Sequence, residues 1–256
     1  MPVTDLQRIA AFRLSFARRQ AAVVNEVPGG VVVLDAEYAA SYEHNQLVIG
    51  RSPHPAGLPA LAETALGHLR HRQITVLDDS TGTDCAPALT AAGYSHVTEL
   101  VMTYTGSAAV PDPSAQTVAF DDLRPALGGQ LRRWMPEADD AVVSQLADRR
   151  TARLRGAEQV RFLAVCDEEG TVGSWADLYC DASEGIAQIE DVVTADTHVR
   201  RGYADTLLAT ALRHASDCGL IFLLADPDDW PHAWYTRRGF KPIGRFHVFT
   251  RAGSEG

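Results

Sequence analysis

A chain in which one offset relates a whole series of apolar and glycine positions is expected to build the same unit twice, and here that offset is 146 residues. Leu58, Leu61, Ala62, Ala65, Leu66 and Leu69 form the apolar stripe of an amphipathic helix, and Ala204, Leu207, Leu208, Ala211, Leu212 and Ala215 repeat it. The same offset carries Ile74 and Val76 onto Leu220 and Phe222, Thr90 onto Thr236, Gly93 onto Gly239 and Tyr94 onto Phe240. Each half then reads as helix, short apolar strand, helix ended by glycine and long final strand, Tyr94 to Thr105 and Phe240 to Arg251.

Pro111 and Pro113 sit among small and polar residues, so 107–116 is expected as a linker between a first domain, 1–106, and a second, 117–256. The first half opens with helix Leu6 to Gln20 and strands Ala21 to Val27, Val31 to Tyr38 and Asn45 to Ile49. The second opens with a polar helical stretch, Leu123 to Arg155, and strands Val160 to Cys166, Thr171 to Cys180 and Ile186 to Thr194. Helix Arg201 to Asp217, strand Leu220 to Ala225, helix Trp230 to Arg238 and the last strand follow. Asp229 is expected to cap the helix at Trp230. The fold class is α/β with a mixed sheet, built as two tandem related halves.

No apolar run is long enough to span a membrane, and the first twenty residues carry Arg8, Arg13, Arg18 and Arg19, unlike a signal peptide. Cys85, Cys166, Cys180 and Cys218 match no metal-ligand spacing and read as reduced thiols of a cytoplasmic protein with no metal. A net charge of −10 argues against a nucleic-acid partner, which needs a basic stripe.

Chemistry concentrates where the strand ending at Thr194 passes through a polar turn into the helix opening at Val199-Arg200-Arg201-Gly202-Tyr203-Ala204. A helix start offers unpaired N–H groups and the positive end of the helix dipole, which suit a diphosphate. Gly202 permits close approach to the backbone, Ala204 keeps the next turn small, and Arg200 and Arg201 add charge-assisted contacts.

Gly202 and Ala204, followed downstream by Tyr235, Gly239 and Phe240, resemble the GCN5-related N-acetyltransferase (GNAT) superfamily over roughly Thr117 to Arg251. The cofactor motif of that family begins with Arg or Gln, where this chain has Val199, and ends with Gly, one residue, then Gly or Ala. The resemblance implies a GNAT-like fold and acetyl-coenzyme A as co-substrate, with its pantetheine arm between the strands Ile186 to Thr194 and Leu220 to Ala225. It places the backbone of Val193 and Thr194 on that arm, with Val199, Arg200, Arg201, Gly202, Tyr203 and Ala204 on the pyrophosphate. Tyr235 is then the proton donor to the departing thiolate.

An aliphatic amine must lose a proton before it attacks, so a base or a water relay is needed. Glu190 and Asp191 are the candidates; strand alternation puts them on opposite faces, leaving at most one well aimed. Glu190 is taken as the base.

In the first half, Pro53 and Pro55 fall where Val199 and Arg201 stand, and proline has no N–H to donate; Leu89 replaces Tyr235. That half reads as a degenerate, non-catalytic copy that supports the sheet, shapes the acceptor site or mediates pairing, which leaves a homo-oligomer open. The segment Ser41 to Gln46 is expected as a solvated loop, with contacts to the acceptor as the alternative. The expected function is direct transfer of an acetyl group to an amine, that of a small molecule; the alternative is a non-catalytic acyl-coenzyme A binding or sensing module, favoured by Val199.

Overall fold

Thr4 starts the first helix with a capping box: its hydroxyl accepts from the Gln7 N–H at 3.2 Å while the Gln7 side chain accepts from the Thr4 N–H at 2.9 Å. This computed structural model describes residues 3–51, 54–106 and 115–253. Pro53 and most of the expected linker, 107–114, lie outside the described residues.

In chain order the elements are α1 (Asp5–Gln20), β1 (Val23–Val27), β2 (Gly30–Leu34), β3 (Gln46–Ile49), α2 (Leu58–Leu66), β4 (His71–Val76), α3 (Asp79–Ala91) and β5 (Ser95–Tyr104). They continue with β6 (Gln116–Val118), α4 (Phe120–Trp134), α5 (Asp140–Asp148), α6 (Arg150–Arg153), β7 (Gln159–Cys166), β8 (Val172–Asp181) and β9 (Ile186–Thr194). The last are α7 (Tyr203–His214), β10 (Leu220–Ala225), α8 (Pro231–Thr236) and β11 (Phe240–Ala252). The mixed α/β architecture expected from the sequence is the one formed.

Two compact units divide the chain: Met1–Met102 with Leu224–Arg237 and Lys241–Gly256, and Thr103–Leu223 with Arg238–Phe240. In the first unit the strand order is β1-β2-β3-β4-β11-β5. β3 and β4 run parallel over Leu47–Ile49 and Ile74–Val76, and β11 runs antiparallel to β4 from His247↔Val76 to Ala252↔His71. The last strand of the chain thus completes the sheet of the first unit. Leu58, Ala62 and Leu66 of α2 bury their stripe in a core with Ile74, Val76 and Phe249, and Leu89 of α3 is fully buried there. At about 1.5–3 kcal/mol for each fully buried large apolar side chain, this stripe rather than helix propensity holds α2 in place.

In the second unit the order is β10-β9-β8-β7-β6, parallel between β10 and β9 and antiparallel elsewhere. Leu123 and Leu127 of α4 pack with Phe162 and Trp175 on one face. α7 buries Leu207, Leu208, Ala211 and Leu212.

Several local expectations are corrected. The stretch Leu123 to Arg155 is three helices, because Met135, which precedes Pro136, takes φ −133° and ends α4. β6 was not foreseen, and β2 stops at Leu34, short of Tyr38. α7 starts at Tyr203 rather than Arg201, since Gly202 before it is left-handed. Asp229 stands one residue ahead of the cap of α8, which is Trp230, and its carboxylate accepts the Trp230 N–H at 2.7 Å. Ser41, His44, Asn45 and Gln46 are buried rather than solvated: the Asn45 amide donates to the carbonyls of Tyr38 at 2.8 Å and Ser41 at 3.0 Å, and Ser41 bonds His44 at 2.9 Å. A compact loop needs its own backbone partners satisfied, and these side chains do so.

Candidate functional site

β9 pairs with β10 only over Ile186–Gln188 and Leu220–Phe222, then runs on to Thr194 without a β10 partner. The related strands of the first half behave differently. There the ladder reaches the end of β3, and the Leu77 N–H closes it by donating to the Ile49 carbonyl at 2.8 Å. Among the described residues, only the second-half strand therefore parts from its parallel neighbour.

Past Thr194 the chain makes a 3-10 turn, Asp196–His198, and enters the loop singled out from the sequence. His198, buried, anchors this loop: its Nε2 lies 3.0 Å from Asp167 Oδ2 in the β7–β8 turn, and its Nδ1 lies 2.8 Å from the Thr197 hydroxyl. The ring stacks on Tyr203 with centroids 6.0 Å apart. Gly173 beneath them has no room for a side chain, as a Cβ there would come within 2.6 Å of the His198 ring and 2.8 Å of Tyr203. The hydrogen bonds from His198 and the backbone of Thr171 and Glu169 hold the Asp167 carboxyl below its usual value.

The loop itself presents open backbone at a helix start. Val199 is extended and half exposed, Arg200 is left-handed at φ 65°, and Gly202 is left-handed at φ 80° immediately before the first residue of α7. No side chain caps α7, and nothing lies within 4 Å of where a Gly202 Cβ would point. A left-handed residue followed by a helical one turns successive N–H groups into one concavity. Arg200 and Arg201 are exposed and make no ion pair or hydrogen bond among the described residues. Val193 and Thr194 close β9 beside the loop, Thr194 bonded to the Ser174 hydroxyl at 3.0 Å. A cleft of about 400 Å³ borders this region, lined by Ala126, Gly129 and Arg133 of α4 and by Thr171, Thr197 and His198.

The carboxylates on β9 are arranged otherwise than alternation predicts. Glu190 is opposite Asp177 in the register, so both point to one face, and Gln188 on that face donates its amide to Glu190. The next recorded pair is Val193↔Trp175, so Asp191 and Val192 stand against Ala176 alone, a β-bulge, with Asp191 at φ 51°. The bulge turns Asp191 to the face of Glu190. Its Oδ2 accepts from Arg150 at 2.8 Å and from Arg153 at 2.7 Å, and Arg153 reaches Asp177 at 2.8 Å from the same nitrogen. Arg150 also pairs with Asp177, to which the Tyr179 hydroxyl donates at 2.9 Å. Burial would raise the Asp191 carboxyl, but the guanidinium groups of Arg153 and Arg150 hold it well below the usual range. It stays ionised and is a poor proton acceptor.

Tyr235 belongs to the first unit, buried on α8 with its ring edge-on to Trp234 at 4.9 Å. Sequence reasoning did not find His198, Asp167, Arg150, Arg153 or Asp177. The spacing of Arg150 and Arg153, three residues apart on one helix face, was the available signal for that pair.

Residues 127–240 match the model of the acetyltransferase (GNAT) family. None of the curated proteins matches the chain in sequence. Among solved structures, the chain is similar to a GCN5-related N-acetyltransferase from Kribbella flavida, with 19% identity, TM-score 0.63, and coverage of 97% of this chain and 95% of that one. A conserved protein of unknown function from Staphylococcus epidermidis aligns with TM-score 0.67 and 12% identity over 90% and 93% of the two chains. A tandem GNAT protein from the clavulanic acid biosynthesis pathway aligns with TM-score 0.51 and 17% identity over 78% of this chain and 69% of its own. No helix among the described residues is long and apolar enough to cross a membrane. Over residues 127–240 the chain matches the acetyltransferase (GNAT) family, and along most of its length it shares the fold of the solved structures above.

Proposed function

We propose that the chain transfers an acetyl group directly from acetyl-coenzyme A to the amine of a small molecule. The observation that carries this reading is the left-handed Gly202 at an uncapped helix start, in the loop that follows a strand parted from its parallel neighbour. In this reading the N–H groups at Gly202, Tyr203 and Ala204 hold the pyrophosphate, with Val199 contributing backbone and Arg200 and Arg201 contributing charge. The backbone of Val193 and Thr194 binds the pantetheine arm. When bound, the co-substrate supplies the activated acyl group. Glu190 takes the amine proton, directly or through water, and Tyr235 protonates the departing thiolate.

Direct transfer is favoured over an acylated cysteine by the state of the thiols. Burial pushes Cys180 up to about 12 and Cys85 to about 11, and it raises Cys166 and Cys218 as well. A thiol that stays protonated is a weak nucleophile.

The test is release of free thiol from acetyl-coenzyme A in the presence of a mixed panel of small amines, followed by mass spectrometry of the acylated product. Amine-dependent release supports the reading. Cofactor binding without release for any amine, peptides included, would replace it with a binding or sensing role.

A further inference from the structure

The most heavily charged buried cluster among the described residues is not in the loop but behind β9, and its geometry points to a mechanical task. Arg150 and Arg153 are almost wholly buried, Asp177 is completely so, and Asp191 is about a third exposed with side-chain accessibility of 30%. Two positive charges and one negative charge are taken out of water together, with the second carboxylate, Asp191, at the rim. Such a set is a weak source of stability, because apolar residues of similar volume often serve as well or better. Its position is more informative than its energy.

Asp191 and Arg200 are the two non-glycine residues with positive φ among the described residues, and Asp191 is the one inside a strand. A left-handed conformation is unfavourable for a residue with a Cβ and persists where its surroundings hold it. Both guanidinium groups end on the same oxygen of Asp191, and both also bind Asp177 on the neighbouring strand β8. The two strands are tied together at the bulge, across the place where one strand has an extra residue.

The bulge has a consequence for everything after it. Backbone N–H groups alternate sides along a strand with a period of two, so a one-residue slip exchanges those that face β8 for those that face away. The bulge therefore decides which of the N–H groups from Val192 to Thr194 look away from β8, and it turns Asp191 onto the face that Glu190 shares with Asp177. We propose that Arg150, Arg153 and Asp177 are positioning residues for acyl transfer, clamping Asp191 in its bulge and so fixing the backbone that polarises the thioester. This rests on the reading that β9 carries the acyl group.

The test uses the full chain and two substitutions at Asp191. Asparagine tolerates a left-handed backbone and keeps an oxygen for the guanidinium groups, whereas alanine does neither. Asp191→Asn should keep single-turnover transfer within about fivefold of wild type, while Asp191→Ala should lose at least about tenfold, each with an unchanged dissociation constant for coenzyme A. Equal losses in the two variants would assign Asp191 a direct role as an ionised carboxylate and overturn the clamp; full activity in both would also overturn it. Amide hydrogen exchange in the unliganded protein is the arm that needs no activity. Residues 189–194 should exchange faster in Asp191→Ala and at the wild-type rate in Asp191→Asn. If wild type transfers no acetyl group, the functional reading fails while exchange still decides whether the clamp holds the bulge. Should Asp191→Ala not fold, Arg150→Lys keeps the charge but reaches only one carboxylate, and it should slow transfer without weakening coenzyme A binding; no change in either would overturn the proposal.

Discussion

Gly93 and Gly239, 146 residues apart, both hold a left-handed backbone, φ 84° and φ 92°, at the point where a helix hands over to a long strand. The repeat read from the sequence is thus a repeat of conformation. Any other residue at these positions meets the steric penalty of that region.

The two glycines should differ in what they tolerate. Alanine at either costs about 1–2 kcal/mol for the left-handed backbone alone. A Cβ on Gly239 would also sit 3.0 Å from the Gly106 Cα, whereas on Gly93 its nearest neighbour is the flexible Arg251 side chain at 3.8 Å. Urea denaturation should therefore rank Gly239→Ala as less stable than Gly93→Ala, and both below wild type. The reverse order would mean that the backbone near Gly106 yields more readily than its packing indicates.

Gly202 has open space around it, so its substitution should spare the fold and strike binding. Calorimetry with coenzyme A should show weaker binding for Gly202→Ala, through the strained φ, and none for Gly202→Glu, which adds a negative charge where the pyrophosphate is proposed to lie. Unchanged affinity in Gly202→Glu would take the loop out of the site.

Tyr235→Phe removes a hydroxyl and keeps the buried ring, so stability and coenzyme A affinity should change little. General acid catalysis contributes about 10²- to 10⁴-fold, and a loss of that order is expected in the single-turnover rate. Product release can mask the chemical step, which is why steady-state turnover is not the readout. A wild-type single-turnover rate with the true acceptor would leave Tyr235 as a packing residue.

Acid should weaken the fold within the histidine range. Burial lowers His71 below the ordinary imidazole value, opposed by its hydrogen bond to the Asn45 carbonyl and aided by the Arg72 charge. Burial lowers His96 and His214 too, with His247 acting on the first and Arg161 and Arg213 on the second. Each folded pKa is depressed, so the unfolded chain binds protons first, near pH 6.5, and stability present above that value is lost as pH falls through the folded values. Thermal unfolding should show Tm falling between about pH 7 and pH 5, less steeply in His71→Gln. A flat Tm across that window would contradict the shifts. Loss of the lowered carboxylates such as Asp191 belongs to more acid conditions.

What the sequence determined by itself is what depends on short-range pattern. The stripe of Leu58, Ala62 and Leu66 shows its helix because 3.6-residue periodicity is local, and Gly202 shows its loop because one residue type suits that backbone. Tertiary structure decided three other things. β11 completes the sheet of the first unit beside β4, and no pattern announces it, since β5 and β11 are related strands with similar apolar faces. The bulge that turns Asp191 to the face of Glu190 is a difference in register between two strands, and register is a property of the pair. The partners of Asp191 come from α6 and those of His198 from the β7–β8 turn, tens of residues away, and charge pairing at that distance is set only once the chain has packed.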